Sequence, residues 1–456
     1  MALIMEQTIT PLALKVTRGK SDIVCPAEPT PREQKMLSDL DDQGGFRLHM
    51  AGIIFYKAHP SMDMKDPVKV FKDALAKALV FYYPFAGRLV EGTNRKLLVD
   101  CTGEGVPFIE AEANASLDDF GSDHSFPLED LLYDIPGNHE MIGTPLLIFQ
   151  VTRLKCGGFI VSLRINHAII DGTGILQFMN AVGEMGRGFT TPSILPVWER
   201  ERLTARDPPR ITFDHPEYDQ PDTTNNHHAN SHTGLVQQCL LFGATHLAAL
   251  RSNVPPHIKQ YSTFDLLSGS CWNFDSLWRC RTKALELKPD DEVRLLFAVN
   301  ARNKFDPPLG KGYYGNACAL PVVCAKVNDI CENDIGYVLE LIRKTKGKIN
   351  EEYMRSSMDL LVTKDRPHYY RNQTYALSDL RHLGFTDFDF GWGKPVYAGP
   401  ASNEAIPDAS LFISYKNKDG ESMIMVNISL PPKSMKVFLK ELEEMLQIQS
   451  IPISLS

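Results

Sequence analysis

Arg164-Ile165-Asn166-His167-Ala168-Ile169-Ile170-Asp171-Gly172-Thr173-Gly174 is the stretch on which the reading of this chain turns. Gly157-Gly158-Phe159-Ile160-Val161-Ser162-Leu163 runs into it. Phe159, Val161, Leu163, Ile165 and His167 alternate with Ile160, Ser162, Arg164 and Asn166, and alternate residues of a strand share a face. His167 therefore falls in register with an apolar face at a strand end. A glycine-flanked turn follows, then an amphipathic helix with Ile175, Phe178, Met179 and Val182 on one side. A histidine delivered inward, with a carboxylate four residues on, suits a general base with a carboxylate partner. The plainer alternative is a core histidine bonded to backbone, with Asp171 capping the helix.

His-x-x-x-Asp occurs three times in the chain. His59-Pro60-Ser61-Met62-Asp63 and His215-Pro216-Glu217-Tyr218-Asp219 carry proline straight after the histidine and sit in polar stretches, so both read as loops. Strand register singles out His167.

The 456 residues exceed one ordinary core, and two domains are expected. Apolar content of 43% and charged content of 23% suit a soluble globular chain. A net charge of −8 without a basic stripe argues against a nucleic-acid surface. No apolar run approaches the roughly 20 residues that span a bilayer. Met1 to Lys15 lacks the charged start and long apolar core of a signal peptide. The nine cysteines include no C-x-x-C, so structural zinc and thioredoxin-like chemistry are disfavoured, and free thiols in the cytosol are expected.

The first half mixes strands (Leu12 to Val16, Met50 to Tyr56, Leu97 to Asp100, Pro107 to Ala111, Leu146 to Leu154, Gly158 to Asn166) with a helix over Asp66 to Leu79. From Asp207-Pro208-Pro209 to Thr233 the chain is rich in Pro, Asp, Asn and His and reads as a long surface crossover. Its His215, His227, His228 and His232 lack partners at metal-ligand spacing, and no metal site is expected. The second half repeats the mixture, with strands at Val236 to Phe242, Glu292 to Val299, Ala317 to Ala325, Leu411 to Lys416 and Met423 to Leu430. Helices are expected over Ala244 to Ser252, Ile335 to Tyr353 and Ser434 to Leu446. The pattern predicts an α/β fold of mixed β-sheets flanked by helices, divided into 1–200, a linker 201–234 and 235–456.

A second unusual stretch is Asp389-Phe390-Gly391-Trp392-Gly393-Lys394-Pro395, a tight turn holding a large ring. Asp-Phe-Gly alone hints at a kinase, but neither a kinase catalytic loop nor a glycine-rich loop accompanies it.

Asn166 to Gly172 and Asp389 to Gly393 together resemble the two signatures of the BAHD acyltransferases, enzymes that move acyl groups from acyl-CoA to alcohols or amines. Tyr82 to Leu89, Asp100 to Gly105 and Tyr313-Tyr314-Gly315-Asn316-Ala317 are similar to further blocks of that family. Leu37-Ser38-Asp39-Leu40-Asp41-Asp42-Gln43 and Ile194 to Arg200 resemble its alcohol acyltransferase and benzyl alcohol benzoyltransferase branch. The resemblance implies two chloramphenicol-acetyltransferase-like domains with an active-site channel between them. It implies acyl-CoA, of benzoyl or acetyl type, as co-substrate beside a small alcohol, with no resident cofactor. A cytosolic monomer without membrane or nucleic-acid partners is expected.

On that resemblance His167 takes the hydroxyl proton and Asp171 pairs with Arg302, bracing the site. Asp389 is carried as a second catalytic candidate, although the family places its turn, with Gly391 and Trp392, away from the reacting atoms. Ser378, a hydroxyl upstream of that turn, is the candidate oxyanion donor. Tyr261-Ser262-Thr263 reads as a helix start, which makes Ser262 and Thr263 candidate contacts for CoA phosphate. The family's helix there would run almost directly from Ser262 to Leu267 into Leu277 to Arg281, but about six residues near Ser270 to Asp275 are extra. At 100° each they rotate the two halves by about 240°, so the segment must loop out or break the helix. Two other readings remain at this point: an acceptor that is an amine or a bulky hydroxyl, and a non-catalytic binding relative.

Overall fold

The computed structural model describes Leu3–Ile4 and residues 14–446, apart from 121–127, 136–140, 220–233, 253, 260, 269–276, 402–407 and 418–419. Two large mixed sheets dominate. The first runs Tyr397–Pro400, His49–Tyr56, Phe159–Asn166, Leu147–Arg153, Val106–Ala113, Val16–Arg18. Its members pair antiparallel except for the parallel Val106–Ala113 and Leu147–Arg153. The second runs Leu3–Ile4, Val236–Phe242, Ser422–Leu430, Ala409–Lys416, Thr374–Asp379, Glu292–Phe297, Val322–Lys326. Thr374–Asp379 is parallel to both its neighbours.

The sheets exchange edge strands. Leu3–Ile4 pairs with Val236–Phe242 in the second sheet, and Tyr397–Pro400 pairs with His49–Tyr56 in the first. Both sheets meet in one apolar cluster that holds Ile53, Phe55 and Ile160 together with Leu241, Leu411 and Ile413.

Local chemistry explains the helices that frame the site. Asp66 accepts from the Val68 N–H at 3.3 Å and Pro67 follows it, so Pro67–Phe81 starts where the sequence places it. It packs on Gly172–Gly186 over the first sheet, and Phe71, Leu75, Phe178 and Val182 fill the core between them.

Several expectations change, among them the first strand, read over Leu12 to Val16, which lies at Val16–Arg18, and the strand over 292–299, which breaks after Phe297. The helix over 335–353 is two helices, Ile335–Gly347 and Glu351–Thr363, because Asn350 caps the second by accepting from Tyr353 N–H at 2.9 Å. The strand over 317–325 is split into Cys318–Ala319 and Val322–Lys326, either side of Leu320-Pro321. Thr30-Pro31 in the sequence reads as opening a turn and a short helix, but the structure has a strand just after it, Gln34–Met36. Residues 220–233 of the crossover, which include His227, His228 and His232, and the Ser270 to Asp275 segment lie outside the described residues. Among the described residues no helix is long and apolar enough to cross a membrane, and no group of acidic, histidine and cysteine side chains could hold a metal.

Candidate active site

His167 leaves the strand Phe159–Asn166 in a short 3-10 turn, His167–Ile169. The Asn166 side chain caps that turn, accepting from Ala168 N–H at 3.0 Å. The His167 main chain is pinned on both sides: its N–H donates to Leu48 O at 2.8 Å, and its carbonyl accepts from Asn316 Nδ2 at 2.8 Å. The ring lies flat on Phe46, with centroids 4.3 Å apart and planes 8° from parallel. Nδ1 is buried without a hydrogen-bond partner among the described residues, so Nε2 is the nitrogen the cavity can reach. Burial pushes the imidazole pKa below its ordinary 6.5, against the weaker opposing pulls of its own backbone, then the Asp171 charge and the Asn316 side chain. A desolvated ring prefers to be neutral, which is the form that accepts a proton.

Asp171 does not reach that ring. Its carboxylate forms a fork with Arg302, NH1 to Oδ2 and NH2 to Oδ1, both at 2.8 Å. It also accepts from Ala317 N–H at 3.1 Å and caps the helix Gly172–Gly186 through Gly174 N–H at 3.0 Å. Arg302 further donates to Gly315 O at 2.9 Å. The pair ties the helix after His167 to the loop before Cys318–Ala319.

A deeper network was not assigned any role by sequence reasoning. Asp41 is fully buried and accepts from Asn316 N–H at 2.9 Å, from Asn316 Nδ2 at 2.8 Å, and from the Arg200 guanidinium. Arg200 also donates to Ile169 O at 2.8 Å. Asp41, Arg200 and Asn316 thus hold the His167–Ile169 turn by its carbonyls. Their signal was present in Leu37 to Gln43, Ile194 to Arg200 and Tyr313 to Ala317, but their convergence is a property of the fold.

A cavity of about 280 Å³ opens beside His167, lined from one sheet by Met50 and Leu163 and from the other by Leu296 and Leu411. Ser378 lines it, and its hydroxyl makes no hydrogen bond within the described residues. The lining charges are neutralised: Asp171 by Arg302, and Asp379 by Arg381 at 2.7 and 2.6 Å. Cys318 also lines the cavity, but burial and the neighbouring Asp171 carboxylate push its thiol up to about 12, leaving it protonated and unreactive at neutral pH.

Asp389 sits elsewhere. Its Oδ1 accepts from Gly391 N–H at 2.7 Å and Gly393 N–H at 2.9 Å, and its carbonyl takes the Arg187 guanidinium. Gly391 has φ +108°, a backbone that side chains resist. The turn aims Phe390 between Tyr56 and Phe71 and sets Trp392 edge-on to Phe159 at 5.0 Å. Neither Asp389 nor Trp392 lines the cavity, whereas Phe388 just before them does. Ser262 is exposed and its hydroxyl donates to Asp265 at 2.8 Å in a reciprocal cap at the start of the helix Thr263–Ser268. Ser262 and Thr263 stand apart from the cavity lining.

Two mixed sheets that trade edge strands around a buried histidine recur as a fold in solved structures. The fold matches the crystal structure of vinorine synthase with a TM-score of 0.71 at 23% identity, over 95% of this chain and 98% of that one. It also matches F. graminearum TRI101 complexed with coenzyme A and deoxynivalenol, with a TM-score of 0.69 at 16% identity, over 91% and 98%. In sequence, the benzyl alcohol O-benzoyltransferase of Petunia hybrida is 51% identical over 443 residues, 96% of this chain and 95% of that protein. Alcohol acyl transferase 2 of Malus domestica is 47% identical over 443 residues, 95% of each. A profile of the Transferase family matches residues 14–445. The chain belongs to that family, the BAHD acyltransferases.

Proposed function

We propose that the protein transfers an acyl group from acyl-CoA to the hydroxyl of a small uncharged alcohol, of which benzyl alcohol is the model, with His167 as the general base. The carrying observation is the desolvated His167 ring on the wall of an apolar cavity that both sheets line. A pocket of about 150 Å³ accommodates one benzene ring. A cavity of about 280 Å³ therefore has room for one aromatic group and part of a second, in keeping with a small acyl or alcohol partner. A protonated amine would find no unpaired carboxylate there, since Asp171 and Asp379 are each held by an arginine. That favours an alcohol over an amine.

In this scheme Nε2 of neutral His167 takes the hydroxyl proton while the alcohol oxygen attacks the thioester carbonyl. The tetrahedral oxyanion collapses, the C–S bond breaks, and the CoA thiolate leaves with the proton returned from His167. Ser378, with its unengaged hydroxyl, is the candidate donor to the oxyanion. No covalent acyl-enzyme enters the scheme, and the protonated Cys318 thiol is consistent with that. Asp171, Arg302, Gly391 and Trp392 brace the site. Asp389 is assigned to its turn rather than to the reacting atoms. Ser262 and Thr263 are left to the phosphate end of CoA, outside the cavity. The cytosol and a monomeric state complete the proposal.

The test is thiol release from benzoyl-CoA and acetyl-CoA across a panel of alcohols and amines, for the wild type and His167→Ala. Small alcohols should be turned over by the wild type alone. His167→Ala working near the wild-type rate would remove the base, and preference for amines would overturn the acceptor class. Silence with every pair would point to a binding protein.

A further inference from the structure

No carboxylate orients the imidazole of His167, because Asp171 is committed to Arg302, Ala317 and Gly174. The main chain of His167 is fixed, and Nδ1 has no hydrogen-bond partner of ordinary geometry among the described residues, although the ring lies close enough to its own backbone and to the Asn316 side chain to feel both. A terminal ring torsion of this kind is broad and close to two-fold. What limits it here is Phe46, stacked on the ring at 4.3 Å and 8° and itself 7% exposed.

Phe46 ends the short turn Gly44–Phe46, and that turn is pressed against the other half of the molecule. A Cβ on Gly44 would lie 2.8 Å from the Arg366 carbonyl oxygen and 3.0 Å from the His368 ring. One on Gly45 would lie 3.0 Å from the Tyr369 ring. Just upstream, Arg366 Nε donates to the buried Asp42 Oδ2 at 2.7 Å, anchoring the same two segments to each other. Arg366 to Tyr369 thus form a backstop, and only glycine lets the turn sit so close to it.

We propose that Phe46 is the positioning residue of His167, holding the imidazole plane by stacking as a carboxylate does by hydrogen bonding, and that the Arg366 to Tyr369 segment sets how far Phe46 advances on the ring. This rests on His167 as the base. The two glycines act through Phe46, and Phe46 acts through His167.

The experiment measures kcat and KM with benzoyl-CoA and benzyl alcohol for wild type, His167→Ala, Phe46→Leu, Phe46→Tyr, Phe46→Trp and Gly45→Ala, each checked for folding by its melting curve. Phe46→Leu should lower kcat by about 10- to 100-fold, the scale of a displaced catalytic group, with KM for benzoyl-CoA unchanged. One of the two aromatic replacements should recover most of kcat, because a ring face is restored. Gly45→Ala should lower kcat with Phe46 intact, and it carries the test if Phe46→Leu does not fold. Wild-type kcat in folded Phe46→Leu, an effect confined to KM, or equal losses in the leucine and both aromatic variants would overturn the positioning role. Wild-type kcat in folded Gly45→Ala would overturn the backstop. Should His167→Ala itself stay active, the base assignment fails instead.

Discussion

At the scale of single residues, His167 is set by its surroundings rather than by a partner. Burial holds its pKa below 6.5, and the proposed base works only when neutral. The active form is therefore complete at neutral pH and is lost only as pH falls through the lowered pKa. The expected acid limb of kcat/KM has its midpoint below the ordinary histidine value, a profile read directly by rate measurements between pH 5 and 8. A limb at 6.5 or higher would mean that some other group, or a solvated histidine, controls the reaction. His215 shows where residue-level reading stops. Its Nε2 lies 2.9 Å from Ser356 Oγ and its Nδ1 3.0 Å from Glu217, the spacing of a Ser-His-Glu triad. Yet Ser356 Oγ already accepts from Thr212 and Phe213 N–H, all three side chains are buried, and none lines the cavity. A loop reading missed that this histidine is a buried clamp between the crossover and the helix Glu351–Thr363. Its partner lies 141 residues away, beyond any local pattern.

At the scale of elements, the turn around Asp389 is where the proposed brace can be told apart from chemistry. Removing its carboxylate orphans the N–H groups of Gly391 and Gly393, and because both sites are only part-buried the cost falls at the low end of about 1–3 kcal/mol for each donor. Asp389→Ala is expected to melt earlier and yield less soluble protein, with kcat per folded molecule nearly intact. Asp389→Asn, which keeps one acceptor oxygen, should lose less. A well-folded alanine variant with kcat reduced a hundredfold would restore Asp389 to the catalytic list. Strong periodicity made most elements readable, as for Phe159–Asn166, whose alternation placed His167 correctly. What escaped was weakly written. Tyr397–Pro400 is a four-residue edge strand containing glycine and proline, and its pairing partner His49–Tyr56 is far away in sequence. The break at Asn350 hid within a helical pattern because a cap is only one residue long.

At the scale of the whole molecule, charged pairs weld the parts around the site. Asp171–Arg302, Asp42–Arg366 and Asp359–Arg206 each join segments more than a hundred residues apart, with the carboxylate buried in every case. Stripping one partner from such a pair costs about 3–5 kcal/mol. Arg302→Ala is expected to lower the denaturation midpoint and soluble yield by that mechanism. Arg302→Lys should recover only part of it, since an ammonium cannot make the two-point fork. Unaltered stability in Arg302→Ala would remove the pair from the frame of the site. The pairing of Asp171 with an arginine was legible only through resemblance, because nothing local in the sequence distinguishes a brace from a triad member.

The exchange of edge strands also bears on how such enzymes can be recombined. A chimera joined in the polar crossover would take His49–Tyr56 from one parent and Tyr397–Pro400 from the other, although these two strands share a sheet. The cavity-lining Phe388, Gly399 and Pro400 would then be foreign to the wall they complete. Specificity swaps between relatives are better built by moving the stretch from Phe388 to Pro400 together with the N-terminal half, so that inheritance follows the sheet and not the order of the chain.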